Sequence, residues 1–240
     1  MDLPTPNRYF GRMKARQIQF GGLNPGQLAF CQPDSEGKPI ILWKGAMLGS
    51  KLPRDIMWQE FHKRKHAFAA CFDATYKFGP KPLRASDQSK QANEQIMNLM
   101  REAKQKIKVK KNSGTGAIFG LIELPHLDVA TLSKYEKGDR LPVHQDNERE
   151  HANDAIVSMS FGSRATMVIH RNDFNRSELF RFHLDDGDLL IFDRFLYHSI
   201  EEITGPRTNI TFRSWKKEWY RPEGFSKKRK IMSPEDNATV

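Results

Sequence analysis

The carboxyl-terminal half of the chain contains two histidines and one aspartate whose types and spacing suit a metal ion. His144 and Asp146 are two positions apart, and His198 follows at a distance. Two imidazoles and one carboxylate form the facial triad that binds non-haem Fe(II) and leaves the opposite coordination positions open. Side chains two residues apart on a strand point to the same face, so we expect His144 and Asp146 to chelate one ion together. His198 must then be supplied by the fold.

A predicted strand after these residues carries two arginines on one face. The segment from Arg207 to Trp215 alternates, with Arg207, Asn209, Thr211 and Arg213 on one side. A guanidinium stays charged, and its planar fork of donors matches a carboxylate. Two of them on one face suit a substrate with a carboxylate at each end, such as 2-oxoglutarate. The alternative is that both are ordinary exposed strand arginines.

Together these residues resemble the AlkB-type Fe(II)/2-oxoglutarate dioxygenases, whose signature is H-x-D, a distant H, and R-x-N-x-T-x-R. The chain matches every position of this signature. The resemblance implies that His144, Asp146 and His198 are the catalytic iron ligands and that 2-oxoglutarate and O2 are cosubstrates. Only nine positions separate His198 from Arg207. This compact form is similar to the AlkB domains of plant RNA virus replication proteins.

The resemblance also implies a set of cosubstrate contacts. Tyr135 begins a segment that looks like the family's Y-x-x-G turn, nine residues before the first histidine. By this match Arg207, with Tyr135 and Asn209, would hold the distal carboxylate of 2-oxoglutarate, and Arg213 would steady the end bound to iron. The family often has Asn two positions before this tyrosine, whereas this chain has Ser133, so that contact is not carried over.

Three further residues match family positions that contact the substrate. Glu148, two residues after the metal aspartate, matches an acid that often reads the edge of the target base; the alternative is a solvated loop glutamate. Tyr76 and Phe78 lie in a segment that looks like the family's substrate lid. Aromatic faces stack on any base, so both residues suit a flipped base; the alternative is that they are core residues.

The order of apolar segments predicts a mainly β, α+β fold, a double-sheet jelly roll with buttressing helices. Helices are predicted from Pro53 to about Ala70 and from Asp87 to about Lys108. Closely spaced strands separated by turn residues favour a jelly roll. The predicted strands cover residues 27–30, 40–43, 117–121, 129–135, 156–161, 165–170, 179–184, 189–192 and 209–215. His198 is expected just past the end of the strand at 189–192.

The chain is predicted to consist of an extension at 1–60 packed on the core, a dioxygenase domain at 61–220 and a basic tail at 221–240. Its net charge of +10 favours polyanionic partners, because neutralising phosphates releases condensed counterions. Nucleic acid is therefore the expected partner, and a monomer is expected. No apolar run approaches the roughly eighteen residues of a membrane helix. The two cysteines and the absence of a secretory signal predict an intracellular protein, in nucleus or cytoplasm.

Three functions remain open at this point. The leading hypothesis, implied by the resemblance, is oxidative demethylation of alkylated bases in DNA or RNA. The second is a 2-oxoglutarate-dependent hydroxylase of a protein side chain or a small molecule. The third is a jelly-roll nucleic-acid-binding module without turnover. The remaining histidines lack the spacing and arginine context of the triad and are interpreted as structural or surface residues: His126, His151, His170 and His183.

Overall fold

Two antiparallel β-sheets face each other, and one helix covers the outer face of the larger sheet. The computed structural model describes residues 23–31, 40–60, 67–71, 75–78, 81–84, 89–112, 127, 129–147, 155–171 and 174–214. The elements are β1 (Leu28–Cys31), β2 (Ile40–Trp43), β3 (Gln59–Glu60), β4 (Ala67–Cys71), β5 (Thr75–Phe78), β6 (Lys81–Arg84), α1 (Lys90–Asn112), β7 (Val129–Tyr135), β8 (Leu141–His144), β9 (Ala155–Gly162), β10 (Ala165–His170), β11 (Glu178–Leu184), β12 (Leu189–Asp193), β13 (His198–Glu201) and β14 (Arg207–Arg213).

The major sheet has eight strands in the order β1-β2-β12-β9-β14-β7-β4-β3, and the minor sheet has four in the order β11-β10-β13-β8. A separate hairpin consists of β5 and β6. Neighbouring strands in both sheets run antiparallel, and many of these pairs join strands that are far apart in the chain. This arrangement confirms the predicted jelly roll. None of the described helical residues form a segment apolar and long enough to cross a bilayer.

Helix α1 forms because its sequence has both a cap and an apolar stripe. The Ser89 hydroxyl accepts a hydrogen bond from the amide of Ala92 at 2.9 Å, which satisfies one of the free amides of the first turn. Ile96, Ala103 and Ile107 follow at helical spacing, and each is no more than 2% exposed. This stripe packs on the outer face of the major sheet. The predicted second helix is thereby confirmed.

Strand β14 separates two environments because successive side chains on a strand alternate between faces. Ile210 and Phe212 are fully buried in the layer between the major sheet and α1. Arg207, Asn209 and Arg213 point to the opposite face, into a cavity between the two sheets. The strand pairs with β7 on one edge and β9 on the other. Its polar residues are therefore enclosed between the two sheets, where they line the cavity.

The rest of the space between the sheets is apolar. Ile156, Leu190 and Phe192 of the major sheet pack on Met167 and Phe182 of the minor sheet, and all five are buried. At about 25 cal/mol per Å² of apolar surface removed from water, this layer is a principal source of the attraction between the sheets. The polar cavity adjoins this core and is held open by it.

One helix prediction is wrong. The segment from Pro53 to Ala70 was expected to be helical, but residues 51–58 have no regular structure, and β3 and β4 follow; residues 61–66 lie outside the described set. Strand β4 pairs with β7 over five residue positions, from Ala67 opposite Lys134 to Cys71 opposite Ala130. A short apolar run fits either element by periodicity, and here the sheet supplies the backbone partners.

Two short strands of the minor sheet were not predicted. β8 contains Pro142, which a sheet tolerates at its edge, and β8 is the edge strand. β13 begins at His198, a residue expected just beyond an earlier strand. The other strands predicted after residue 128 occur within a few positions of their expected bounds. The strand predicted at 117–121 lies outside the described residues.

A buried ion cluster ties β2 to the turn before β12. The ammonium of Lys44, 7% exposed, contacts the carboxylates of Asp188 and Asp185, the latter at 2.7 Å. Asp188, 1% exposed, also accepts hydrogen bonds from the amides of Gly45 and Asp185. Each buried charge is thus compensated by a partner of opposite sign and by backbone donors. The cluster connects the end of β2 to the loop that follows β11.

We expect Asp188→Asn to lower the free energy of unfolding by about 3 kcal/mol, because it leaves the buried Lys44 ammonium undercompensated. Urea unfolding followed by circular dichroism measures this change. Arg164→Gln is the matched control, since Arg164 also pairs with Asp185 but its side chain is 52% exposed; we expect a change below about 1 kcal/mol. Equal losses in both variants would contradict the assigned importance of burial.

Candidate active site

The three predicted metal ligands converge at one end of the minor sheet. His144, the last residue of β8, is the direct Cα partner of His198, the first residue of β13. Their imidazole centroids are 4.2 Å apart. Asp146 follows β8 by two residues, and one ligand atom from each of the three side chains lies within 4.8 Å of the other two. Among the described residues, no other set of three or more His, Cys, Asp or Glu side chains lies close enough together to hold a metal ion.

Asp146 does not share a strand with His144, which corrects the expected geometry. The strand ends at His144, and the amide of Asp146 donates to the carbonyl of Arg194 at 3.0 Å. Between the two ligands, the side-chain amide of Gln145 donates to the carbonyl of Phe195 at 2.5 Å. The ligand loop is therefore fixed to the turn between β12 and β13, which leads into the third ligand.

Backbone carbonyls orient both imidazoles. The Nδ1 of His144 lies 2.8 Å from the carbonyl of Pro142, and the Nδ1 of His198 lies 2.9 Å from the carbonyl of Leu196. A carbonyl only accepts, so each Nδ1 carries the proton and each Nε2 keeps its lone pair. The two Nε2 atoms face the carboxylate of Asp146 at 3.8 and 3.9 Å. These are the tautomers that metal coordination through Nε2 requires.

The charge state of His198 also suits a metal. Burial, with a smaller effect from the neighbouring His144, lowers the pKa of His198 to about 4. The imidazole is therefore neutral at physiological pH, as a metal ligand must be. Two imidazoles and one carboxylate fit Fe(II), and their position at the edge of a cavity leaves room for further ligands.

A cavity of about 310 Å³ lies between the sheets and reaches the three ligands. All seven residues predicted to bind the metal or the cosubstrate line it: Tyr135, His144, Asp146, His198, Arg207, Asn209 and Arg213. Arg213 is at the metal end, where its guanidinium lies 2.8 Å from a carboxylate oxygen of Asp146. The structure therefore brings together the residues that the signature singled out.

Arg207 is at the opposite end of the cavity. Its guanidinium donates to the carbonyls of Ser163 and Leu184 at 3.0 and 3.2 Å and to the hydroxyl of Ser160 at 2.5 Å. Among the described residues, these acceptors are neutral oxygens. Arg207 is only 3% exposed, and this burial lowers the pKa of its guanidinium to about 10. A buried cation held by neutral partners beside a cavity is suited to an anion.

Tyr135 is adjacent to this cation on the neighbouring strand. It is the Cα partner of Arg207 across β7 and β14 and is 3% exposed. Burial raises the pKa of Tyr135 above its usual value, so the phenol is protonated and can donate a hydrogen bond to an acceptor in the cavity. Asn209, two residues further along β14, has its side-chain carbonyl oxygen bonded by the hydroxyl of Ser158 at 3.0 Å. That bond fixes the orientation of the amide.

The residues that support these side chains were not predicted from the sequence. Ser158 and Ser160 on β9 bond Asn209 and Arg207, and on β7 the hydroxyl of Thr131 lies 2.6 Å from that of Thr211. One feature of the sequence indicates two of them: two serines, two positions apart, interrupt the otherwise apolar strand β9. A strand with small polar residues at alternate positions indicates a face that lines a polar site.

Other predicted site residues are not placed in the cavity. Glu148 lies outside the described residues. Tyr76 and Phe78 are on β5 of the separate hairpin, where only the backbone is described. Of the other histidines interpreted as structural or surface residues, His126 and His151 lie outside the described residues, and His170 and His183 make hydrogen bonds within the minor sheet. The last two are therefore structural, as expected.

We expect His144→Ala to weaken Mn(II) binding by about tenfold or more with little change in stability, because His144 is a partly exposed candidate ligand.

Asp146→Ala should weaken Mn(II) binding similarly and also cost about 3 kcal/mol of unfolding free energy, because it removes the buried carboxylate that contacts Arg213. Titration calorimetry and urea unfolding measure the two effects. His183→Ala is the control histidine, and a loss of Mn(II) binding in that variant would refute the assignment.

A search of curated proteins finds no match. Among solved structures, OsALKBH1 is similar with a TM-score of 0.43 and 18% identity, over 80% of this chain and 98% of that chain. An oxidoreductase of the 2OG-Fe(II) oxygenase family from Burkholderia pseudomallei has a TM-score of 0.41 and 13% identity, over 68% and 71% of the respective chains. At this distance neither structure indicates a substrate for this chain.

The family model described as the 2OG-Fe(II) oxygenase superfamily matches residues 54–213, which include the whole cavity and its ligands. The cofactors of that superfamily are the ones that the residue types require: Fe(II), with 2-oxoglutarate and O2 as cosubstrates. The chain therefore belongs to the 2OG-Fe(II) oxygenase superfamily and is a dioxygenase.

Proposed function

We propose that this enzyme removes methyl groups from alkylated bases in DNA or RNA. The observation that carries the proposal is the polar face of β14, where Arg207, Asn209, Thr211 and Arg213 of the R-x-N-x-T-x-R pattern all line the cavity. This pattern distinguishes the AlkB-type enzymes that the sequence resembles. The net charge of +10 supports a polyanionic substrate, since cationic proteins gain affinity for phosphates by counterion release.

The reaction consumes one O2 and one 2-oxoglutarate for each methyl group. One oxygen atom enters succinate as CO2 is lost, and the other is inserted into a C–H bond of the N-methyl group. The hydroxymethyl product then breaks its C–N bond, so that formaldehyde leaves and the proton of its hydroxyl group passes to the base nitrogen. When bound, Fe(II) supplies the activation of dioxygen for this oxidation.

The protein contributes position and charge. In this proposal His144, Asp146 and His198 hold the iron, with the imidazoles kept in the correct tautomer by backbone carbonyls. Arg213, which contacts Asp146, orients that carboxylate and steadies the end of 2-oxoglutarate bound to iron. Because Arg213 and Asp146 are both buried, their attraction is little screened by solvent.

At the other end of the cavity, Arg207, Tyr135 and Asn209 bind the distal carboxylate. The guanidinium of Arg207 has neutral protein partners, so a bound carboxylate would supply the counter-charge that its burial calls for. The protonated phenol of Tyr135 would add a neutral donor. Charge at both ends of the cavity thus selects a dicarboxylate of limited length.

The base would be recognised outside the cosubstrate cavity. We assign the reading of its edge to Glu148, which follows the metal aspartate, and stacking to Tyr76 and Phe78 on the β5–β6 hairpin. The base must leave its stack or already be single-stranded to reach the iron. These three roles rest on the family resemblance alone.

We expect Arg207→Lys to raise the KM for 2-oxoglutarate by about tenfold or more, because an ammonium keeps the charge but loses the bidentate fork. Uncoupled decarboxylation of labelled 2-oxoglutarate measures this KM without a nucleic acid substrate. The matched control is Arg140→Lys, since Arg140 is exposed at the start of β8. An unchanged KM in Arg207→Lys would remove Arg207 from the cosubstrate site.

The function itself is tested by formaldehyde release from single- and double-stranded DNA and RNA oligonucleotides that carry different N-methylated bases. We expect release from at least one class, with loss in His198→Ala and an altered base preference in Glu148→Ala. Active uncoupled decarboxylation without formaldehyde from any methylated probe would overturn the proposal. It would favour the other candidate substrates, a protein side chain or a small molecule.

A further inference from the structure

Two turns at the iron end of the minor sheet expose aromatic and cationic side chains together. We call this the rim surface and define it as Arg171, Phe174 and Arg176 of the β10–β11 turn with Arg194 and Phe195 of the β12–β13 turn. Neither turn belongs to the signature that identified the enzyme. Their position beside the metal ligands follows from the strand register of the minor sheet.

The β12–β13 turn is attached directly to the ligand loop. The carbonyl of Arg194 accepts a hydrogen bond from the amide of Asp146, and the carbonyl of Phe195 accepts one from the side chain of Gln145. Within the turn, the amide of Phe195 donates to the carboxylate of Asp193 at 2.8 Å. Phe195 is therefore held three residues before His198 and against the loop that carries the other two ligands.

The β10–β11 turn is attached to the strand that supplies the third ligand. Ile169, near the end of β10, is the Cα partner of His198, and the amide of His170 donates to the carbonyl of Tyr197. The guanidinium of Arg176 stacks 3.6 Å above the ring of Tyr197 and donates to its hydroxyl at 2.9 Å. The turn is thus anchored at the same end of the sheet as the iron ligands.

The anchoring is strong enough to hold an unfavourable backbone conformation. Arg176 has a φ of 50°, in the left-handed region that costs a non-glycine residue about 1 kcal/mol or more. Its carbonyl lies 2.7 Å from the Nδ1 of His170, and the Nε2 of the same ring lies 3.0 Å from the hydroxyl of Ser199. These contacts fix the backbone at Arg176, where the chain leads into β11.

The side chains at the tips of these turns are presented to solvent. Phe174 is 100% exposed and Phe195 is 49% exposed. The guanidinium of Arg194 lies 4.4 Å from the centroid of the Phe195 ring. Arg171 is exposed as well. Of the described acids nearby, the carboxylate of Asp193 accepts a hydrogen bond from the amide of Phe195, and Glu178 is paired with Arg181.

Aromatic faces flanked by guanidiniums are the chemistry that binds single-stranded nucleic acid. Bases stack on aromatic rings irrespective of sequence, at about 1–3 kcal/mol per base, while arginines neutralise phosphates. Covering these two aromatic rings with a partner would remove apolar surface from water, which is favourable. Their location beside the iron indicates a partner that enters with the substrate.

We propose that the rim surface binds the nucleotides that flank the target base, with Phe174 and Phe195 stacking on bases and Arg171 contacting phosphate. This inference rests on the proposed function, and it adds a preference for a single strand, because paired bases do not offer their faces. It predicts that the enzyme distinguishes a methylated oligonucleotide from the isolated methylated nucleoside through residues outside the cosubstrate cavity.

The test measures binding and turnover in parallel with the full-length enzyme. Fluorescence anisotropy gives the Kd for a short single-stranded methylated oligonucleotide, with Mn(II) in place of Fe(II) to prevent turnover. We expect Phe174→Ala and Phe195→Ala each to raise this Kd about fivefold or more and Phe174→Trp to retain the wild-type value. Arg171→Gln should reduce the dependence of log Kd on log salt by about 0.7. Formaldehyde release from the methylated nucleoside should be unchanged in all four variants.

Two exposed residues away from the iron end serve as matched controls: Val109→Ala on α1, where Val109 is 61% exposed, and Arg140→Gln at the start of β8. Kd values within about twofold of wild type in both phenylalanine variants would overturn the rim assignment. An equal loss with the nucleoside would overturn it too, because the defect would then be at the iron. A wild-type enzyme that releases formaldehyde from no methylated probe would instead overturn the proposed function, and the inference with it.

Discussion

The alternation of side chains along β14 (Arg207–Arg213) is the constraint on which the rest of the structure depends. The strand is hydrogen-bonded to β7 and β9 on its two edges and covered on both faces. Its apolar residues Ile210 and Phe212 pack under α1, and its polar residues face the cavity. A register slip of one residue would move Arg207 and Arg213 into the apolar layer, where an unpaired charge is very costly. The packing of the helix and the chemistry of the cavity are therefore set by one register.

Each end of the cavity contains a buried arginine, and the two arginines have different partners. Arg213 has a carboxylate partner, Asp146, so its charge is compensated within the protein and it can orient a metal ligand. Arg207 is held by carbonyl and hydroxyl oxygens, which fix its position without a direct carboxylate contact among the described residues. The two ends of the cavity therefore differ: His144, Asp146 and His198 lie with Arg213 at one end, and Arg207 lies at the other. A dicarboxylate cosubstrate fits this arrangement because each of its ends has a different partner.

The iron end relies on a small sheet rather than on the core. β8 and β13 are four residues each, and their pairing brings His144 opposite His198. Short strands alone would hold such a site loosely, but backbone carbonyls fix both imidazoles, and Gln145 links the ligand loop to the next turn. The bases of the neighbouring turns are hydrogen-bonded to the ligand loop and to β13, and Phe174 and Phe195 on these turns are exposed. The same hydrogen bonds thus serve the metal ligands and the surface that surrounds them.

The sequence by itself determined the chemistry of the cavity and the elements with strong periodicity. The alternation of β14 and the apolar stripe of α1 were legible because side-chain direction within one strand or helix depends only on local geometry. The convergence of His144, Asp146 and His198 required the pairing of β8 with β13, which involves residues far apart in the chain and leaves no periodic signal in segments of four residues. The helix expected from Pro53 to Ala70 was wrong for a related reason: β7 offers backbone partners to Ala67–Cys71, and pairing with a distant strand overrides a weak local preference. Only the tertiary structure decided these points, because hydrogen bonds between distant strands are not encoded in the spacing of neighbouring residues.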